Sequence, residues 1–127
     1  MIFGIGTDIV DVSRIERAFE RFGERFAERI LTEREMTGYK KTKNKLRFLA
    51  MRFAAKEAIV KALGTGFRYG VWLRDVGTSP DPRGKPEIHY SDRGEALRTR
   101  LGVGDGHISL TDEAGLVVAF AVLLRKE

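Results

Sequence analysis

The chain contains no cysteine among its 127 residues. Disulfides, thiolate-metal sites and cysteine nucleophiles are therefore excluded, and a reducing, cytoplasmic setting is the expected one. Histidine is nearly as scarce: His89 and His107 are the only two, which disfavours a zinc centre. Only 3 prolines occur, and no segment has the composition of a disordered tail. The longest apolar run, Leu116 to Leu124, spans nine residues, well short of the ~20 needed to cross a bilayer. No membrane association is expected. The opening Met1 to Asp8 lacks a basic flank and reaches an acid too soon for a secretory signal.

What is present is a globular composition, 43% apolar and 32% charged, of a size expected for one domain over residues 1–127. Lys and Arg number 23 against 18 Asp and Glu, a net charge of +5. That excess favours an anionic partner: nucleic acid, anionic lipid, a phosphorylated ligand or an acidic protein.

Apolar spacing predicts the order of elements. Met1 to Ile5 reads as a short strand ended by Gly6, which delivers Asp8 to a turn. Ser13-Arg-Ile-Glu16 has the form of a capping box opening a helix to Phe22, with Gly23 as its stop. Helical spacing resumes from Arg25 to Leu31, and Thr32-Glu-Arg-Glu35 is a second capping box. Lys40 to Lys45, with four lysines, reads as an exposed connection. Leu46 to Leu63 is the strongest helix, with Leu46, Leu49, Phe53, Val60 and Leu63 on one stripe. Thereafter the period changes. Val71 to Val76, Glu87 to Tyr90, His107 to Thr111 and Leu116 to Leu124 read as strands, with a short helix within Ser91 to Leu101. The predicted class is α+β, a mostly antiparallel sheet packed on a long helix. Leu116 to Leu124 is apolar on both faces, so the expected covers are the long helix and a partner subunit.

Glu57 falls inside the apolar arc of the long helix, beside Phe53 and Val60. A carboxylate there needs a partner. Lys61, one turn on, can pair with it; alternatively Glu57 is a metal ligand with a second acid, for which Asp8 is the candidate. Two carboxylates completed by substrate phosphates and water suit Mg²⁺. Arg52, Lys56 and Lys61 read as a cationic flank, either solvated or ligand-binding. Gly64-Thr65-Gly66 is a helix stop that also permits close approach of a ligand. His107, Ser109 and Thr111 alternate with core-facing Ile108 and Leu110, forming either a plain exposed face or a ligand-lining one. Arg14, Arg17 and Arg21 share one helix face, either salt-bridged to solvent-facing acids or available to an acidic protein.

Five segments together resemble a known family. They are Gly4-Ile-Gly-Thr-Asp8-Ile-Val, Arg25-Phe-Ala-Glu-Arg-Ile-Leu-Thr32, Phe53-Ala-Ala-Lys-Glu57-Ala-Ile-Val-Lys61-Ala-Leu-Gly-Thr-Gly66, Gly84-Lys-Pro86 and His107-Ile-Ser-Leu-Thr. In this order the chain resembles, nearly end to end, the small homotrimeric class of 4′-phosphopantetheinyl transferases. The resemblance implies transfer of phosphopantetheine from coenzyme A to a serine of apo acyl carrier protein, releasing adenosine 3′,5′-bisphosphate, in support of fatty acid biosynthesis. It implies catalytic roles for Asp8, Glu57 and Lys61, with Asp8 and Glu57 holding Mg²⁺ (or Mn²⁺). Coenzyme A would be bound by Arg52, Gly64, Thr65, Gly66, His107 and Ser109. Arg14 and Arg21 would meet acidic residues of the carrier, at a site between subunits.

One position departs from the family. Asp112 stands where many relatives carry a histidine, so no role of that histidine transfers, and His89 is expected to be structural. The competing reading, a nucleic-acid-binding module using Lys40 to Lys45 and the arginine face, lacks a strand with the paired exposed aromatics that base stacking uses. No nucleic-acid partner is expected.

Overall fold

A computed structural model describes all 127 residues. The chain begins with β1 (Ile2–Asp11), followed by α1 (Val12–Phe22), α2 (Glu24–Ile30), α3 (Glu33–Lys41) and α4 (Lys45–Leu63). A short 3₁₀ turn, Leu73–Asp75, leads into β2 (Val76–Pro80) and β3 (Pro86–Tyr90). The chain ends with α5 (Asp92–Leu101), β4 (Val103–Glu113) and β5 (Leu116–Arg125). The strands form a three-stranded sheet, β1-β5-β4, and a separate β2-β3 hairpin, and every pairing is antiparallel. The α+β class is as expected. No helix is long and apolar enough to cross a membrane.

Helix α4 is central, and β1 and β5 pack on it. Its buried side includes Leu49, Ala50, Ala54, Ala58, Ala62 and Leu63. The many alanines let the sheet come close, and two glycines on β1 complete the fit. A Cβ on Gly4 would collide with the Ala62 carbonyl oxygen, and one on Gly6 with that of Ala58. Gly6 is thus no strand end. It lies within a ten-residue strand paired with β5 along its length, and the expected turn at Asp8 is strand instead.

Other local expectations are corrected. Asp11, not Ser13, caps α1, accepting from Ser13 N at 2.9 Å, so the Ser13–Glu16 box does not form. The Thr32–Glu35 box does form. Val71 to Val76 is not one strand, because the Asp75 carboxylate accepts from Trp72 N at 2.7 Å and folds the segment into a 3₁₀ turn. The lysine-rich connection is short: Asn44 caps α4 through Arg47 N at 3.0 Å. Lys45 is drawn in, donating to the carbonyls of Tyr39 and Thr42.

Strand β5 buries Val117, Ala119, Ala121 and Leu123 against α4. Its other face is open in the single chain: Val118 is 36% and Phe120 40% exposed, and on neighbouring β1 Ile5 and Ile9 are 59% and 60% exposed. The register places Ile5 opposite Val122 and Ile9 opposite Val118. This is a contiguous apolar face on a sheet.

Gly6→Ala is expected to lower folding stability by ~1–3 kcal/mol, because backbone rather than a flexible side chain must yield. Urea denaturation followed by circular dichroism measures it, and an unchanged midpoint would show that β1 and α4 separate without cost.

Candidate active site

The tight β1–α4 contact carries Asp8 to the helix. Lys61 Nζ donates to Asp8 Oδ1 at 3.1 Å and to the Thr7 carbonyl at 3.0 Å. Lys61 therefore pairs with Asp8 rather than with Glu57, the simpler partner in sequence. Glu57, one turn earlier, is half-buried. Burial, and then the nearby Asp8 carboxylate, push its pKa above the ordinary glutamate value, while Lys61 and Arg14 pull the other way. Arg14 reaches this site from α1, its guanidinium 5.6 Å from the Phe53 ring centre. Asp8, Glu57, Lys61 and Arg14 are thus brought together from three elements.

No group of three or more His, Cys, Asp or Glu gathers anywhere in the chain. The Asp8–Glu57 pair offers two carboxylates and no third acid or histidine, and the repulsion felt by Glu57 is anionic charge that a divalent cation would relieve. A pair of this kind fits an octahedral ion that keeps water or substrate oxygens in its remaining positions.

The other expected contacts lie elsewhere on α4. Arg52 and Glu57 are five residues apart, ~7.5 Å of rise and ~140° around the axis, so they face different sides. Arg52 lines a groove of about 420 Å³ between β2 and β4, together with Thr78, Ser79, Lys85, Pro86 and Ser109. Its guanidinium lies 4.1 Å from the Phe48 ring centre, and burial pulls its pKa below the ordinary arginine value. A second groove, of about 610 Å³, shares Lys85 and Pro86 with the first and contains His107. The structure therefore joins Arg52, Ser109 and His107 through the Gly84-Lys-Pro86 turn. Lys85 adds to the expected site residues; the Gly84-Lys-Pro86 segment carried the resemblance without an expected site role.

His107, Ser109 and Thr111 are exposed, as their alternation predicts, and Ile108 is buried. Gly64 ends α4 with a left-handed backbone, φ 81°, and its N–H returns to the Lys61 carbonyl at 3.0 Å. Thr65 N and Gly66 N both donate to the Val60 carbonyl at 3.2 Å. This loop borders neither of the two grooves. Arg21, two turns along α1 from Arg14, is exposed and lies 5.1 Å from the Phe22 ring centre.

Lys56 is the clearest departure from expectation. Instead of flanking the helix in solvent it is completely buried, 2.5 Å from Glu35 Oε1. The signal was available, since Leu49, Phe53, Lys56, Val60 and Leu63 follow one 3-4 spacing. Glu35, read only as a capping residue, caps Thr32 N at 3.0 Å and also accepts from Thr78 N at 3.0 Å. His89 packs against this cluster, bonded to Thr32 Oγ1 at 2.8 Å, and burial pushes its pKa down to about 4. Its other ring nitrogen lies 3.3 Å from Ser79 Oγ, and the ring also lines the second groove. Asp112 forms a bidentate pair with Arg47, at 2.8 and 3.0 Å, tying β4 to the start of α4.

A model of the 4′-phosphopantetheinyl transferase superfamily matches residues 4–121. The chain belongs to this superfamily. It is 50% identical to the holo-[acyl-carrier-protein] synthase of Halorhodospira halophila (strain DSM 244 / SL1), over 98% of each chain. Among solved structures it resembles the Neisseria meningitidis holo-[acyl-carrier-protein] synthase, with 42% identity and a TM-score of 0.94 over 98% of this chain and 100% of that one. It also resembles the Helicobacter pylori enzyme in complex with coenzyme A, at 32% identity and TM-score 0.82, covering 94% of this chain and 98% of that one. Within the superfamily the chain falls among the holo-[acyl-carrier-protein] synthases.

Asp8→Asn is expected to lower the Glu57 pKa, because one of the two effects raising it disappears. Carboxyl ¹³C titration in metal-free solution reads this directly, and an unmoved Glu57 would mean that the two acids do not sense each other.

Proposed function

We propose that the protein transfers the 4′-phosphopantetheine arm of coenzyme A to a serine hydroxyl of apo acyl carrier protein. The serine oxygen bonds to the pantetheine-side phosphorus, the pyrophosphate P–O bond on the leaving side breaks, and the seryl proton is lost. Holo carrier and adenosine 3′,5′-bisphosphate result. The observation that carries this reading is the meeting of Asp8, Glu57 and Lys61 in a chain of this superfamily.

Asp8 and Glu57 are the residues that would hold Mg²⁺, with Mn²⁺ as an alternative. The ion supplies charge neutralisation for the pyrophosphate oxygens when bound. Lys61 commits two of its N–H groups to Thr7 and Asp8. Its third donor is available to the leaving phosphate, which develops negative charge as the bond breaks. Arg52, Ser109 and His107 contact coenzyme A along the joined grooves, where a cation and hydroxyls suit its 3′-phosphate. Gly64, Thr65 and Gly66 form the close-approach loop one turn beyond Lys61.

Arg14 and Arg21 receive the acidic carrier protein. Arg14 borders Glu57, so a carrier docked on α1 would bring its serine to the acid pair. This acidic partner accounts for the +5 net charge better than nucleic acid does. The protein assembles as a homotrimer in the cytoplasm, using the open apolar face of β1 and β5. Support for a site shared between subunits comes from α4, which turns Arg52 and Glu57 to different sides of a single chain.

Glu57→Gln is expected to lower turnover by about 10²-fold or more while leaving the thermal midpoint unchanged, since its charge serves the ion and not the fold. Mass spectrometry of apo carrier after incubation with coenzyme A, Mg²⁺ and the enzyme counts the added phosphopantetheine. Full turnover by the variant at saturating Mg²⁺ would remove Glu57 from the site. Arg14→Glu is expected to raise KM for the carrier about tenfold and leave KM for coenzyme A within about twofold. Equal rises in both would reject docking on α1.

A further inference from the structure

The groove beside Arg52 is backed by a buried charge cluster that the transfer step does not use. Glu35 on α3 and Lys56 on α4 have fully buried side chains, and Lys56 Nζ also donates to the Val76 carbonyl at 2.7 Å. The Glu35 carboxylate accepts three hydrogen bonds. Oε1 serves Lys56 and Thr32 N, while Oε2 serves Thr78 N and lies 3.9 Å from Arg52 Nε.

A buried ion pair of this kind is weak evidence for stability, because replacing both charges with apolar groups is often neutral or favourable. The third charge gives it a purpose. One carboxylate faces two cations, so the cluster has one positive charge in excess, and it belongs to Arg52. The Arg52 side chain is only 16% exposed. It is fixed on one side by the Phe48 ring, its Nε is buried without a hydrogen-bond partner, and it lines the groove with Lys85, Ser79 and Ser109. Without the Glu35 charge, Lys56 and Arg52 would repel each other in a poorly solvated space, and the guanidinium would be driven outward.

We propose that Glu35 is a positioning residue for substrate recognition: its carboxylate holds the Arg52 guanidinium on Phe48 and in the groove, so that a phosphate of coenzyme A completes the charge balance of the cluster. This rests on the coenzyme A reading above. It also explains why β2 is tied in at the same point. Thr78 N and the Val76 carbonyl bond to the two members of the pair, so β2, which forms one wall of the groove, and Arg52 are held by a single carboxylate–ammonium unit.

The test is a double-mutant cycle between Glu35→Gln and Arg52→Ala, read as KM for coenzyme A, kcat and KM for the carrier. Wild-type activity with coenzyme A and apo carrier is measured first, and its absence would overturn the transferase reading itself. With wild type active, Glu35→Gln alone is expected to raise KM for coenzyme A about fivefold with kcat and carrier KM within about twofold, and to add less than about twofold once Arg52 is alanine. If Glu35→Gln proves too unstable to assay, Glu35→Asp, which keeps the charge beside Lys56 but withdraws it from Arg52, takes its place in the same cycle. Three results overturn the proposal: an unchanged KM for coenzyme A, a loss confined to kcat, or a KM rise of equal size with and without Arg52.

Discussion

Strand β1 and helix α4 come together closely enough that neither Gly4 nor Gly6 can carry a side chain, because the space a Cβ would need is filled by helix backbone at Ala62 and Ala58. Everything at the acid pair depends on this contact. Asp8 lies two residues beyond Gly6 on the same strand, and the close approach of strand and helix at Gly6 keeps the Asp8 carboxylate within reach of Lys61. Small residues on both partners are what make it feasible. A bulkier pair would hold strand and helix at ordinary separation, and a short side chain such as aspartate would then fall short of its partners.

Charge is distributed along α4 in an order that follows its turns. Arg52 belongs to one groove, Glu57 and Lys61 to the acid pair on another side, and Lys56 between them points inward. The helix therefore separates a cationic, hydroxyl-lined surface suited to phosphate from an acidic surface suited to a divalent ion. Lys61 and Arg14 offset only part of what raises the Glu57 pKa, and the positive charge beside Arg52 exceeds the single Glu35 carboxylate. Each imbalance is relieved by what the proposed reaction brings: a cation at one, a phosphate at the other.

Much of this was legible in the chain itself, for identifiable reasons. The 3-4 spacing from Leu49 to Leu63 defined α4, the alternation of His107, Ser109 and Thr111 defined their exposure, and the apolar arc singled out Glu57. Apart from the α1 cap, where Asp11 displaced Ser13 locally, the reading failed where a distant partner had intervened. Gly6 looked like a strand end because its packing neighbour, Ala58, is far away in sequence. Val71 to Val76 looked like a strand because its pattern contains no hint that Asp75 will accept from Trp72 N, Ser91 and Arg93. Lys56 looked solvated because lysines usually are, and its partner Glu35 had already been given a capping role.

Local chemistry set by neighbours along the chain was thus decided by sequence: helix extents, the Thr32 cap, the glycine stop after Leu63, and the absence of thiol chemistry or a membrane-spanning helix. The pairing of groups far apart in the chain was decided only by the fold. Asp8 and Lys61 are 53 residues apart, and Lys56 and Glu35 are 21 apart. The physical reason is that periodicity reports which way a side chain faces, whereas the identity of what it faces depends on how closely two backbones can pack.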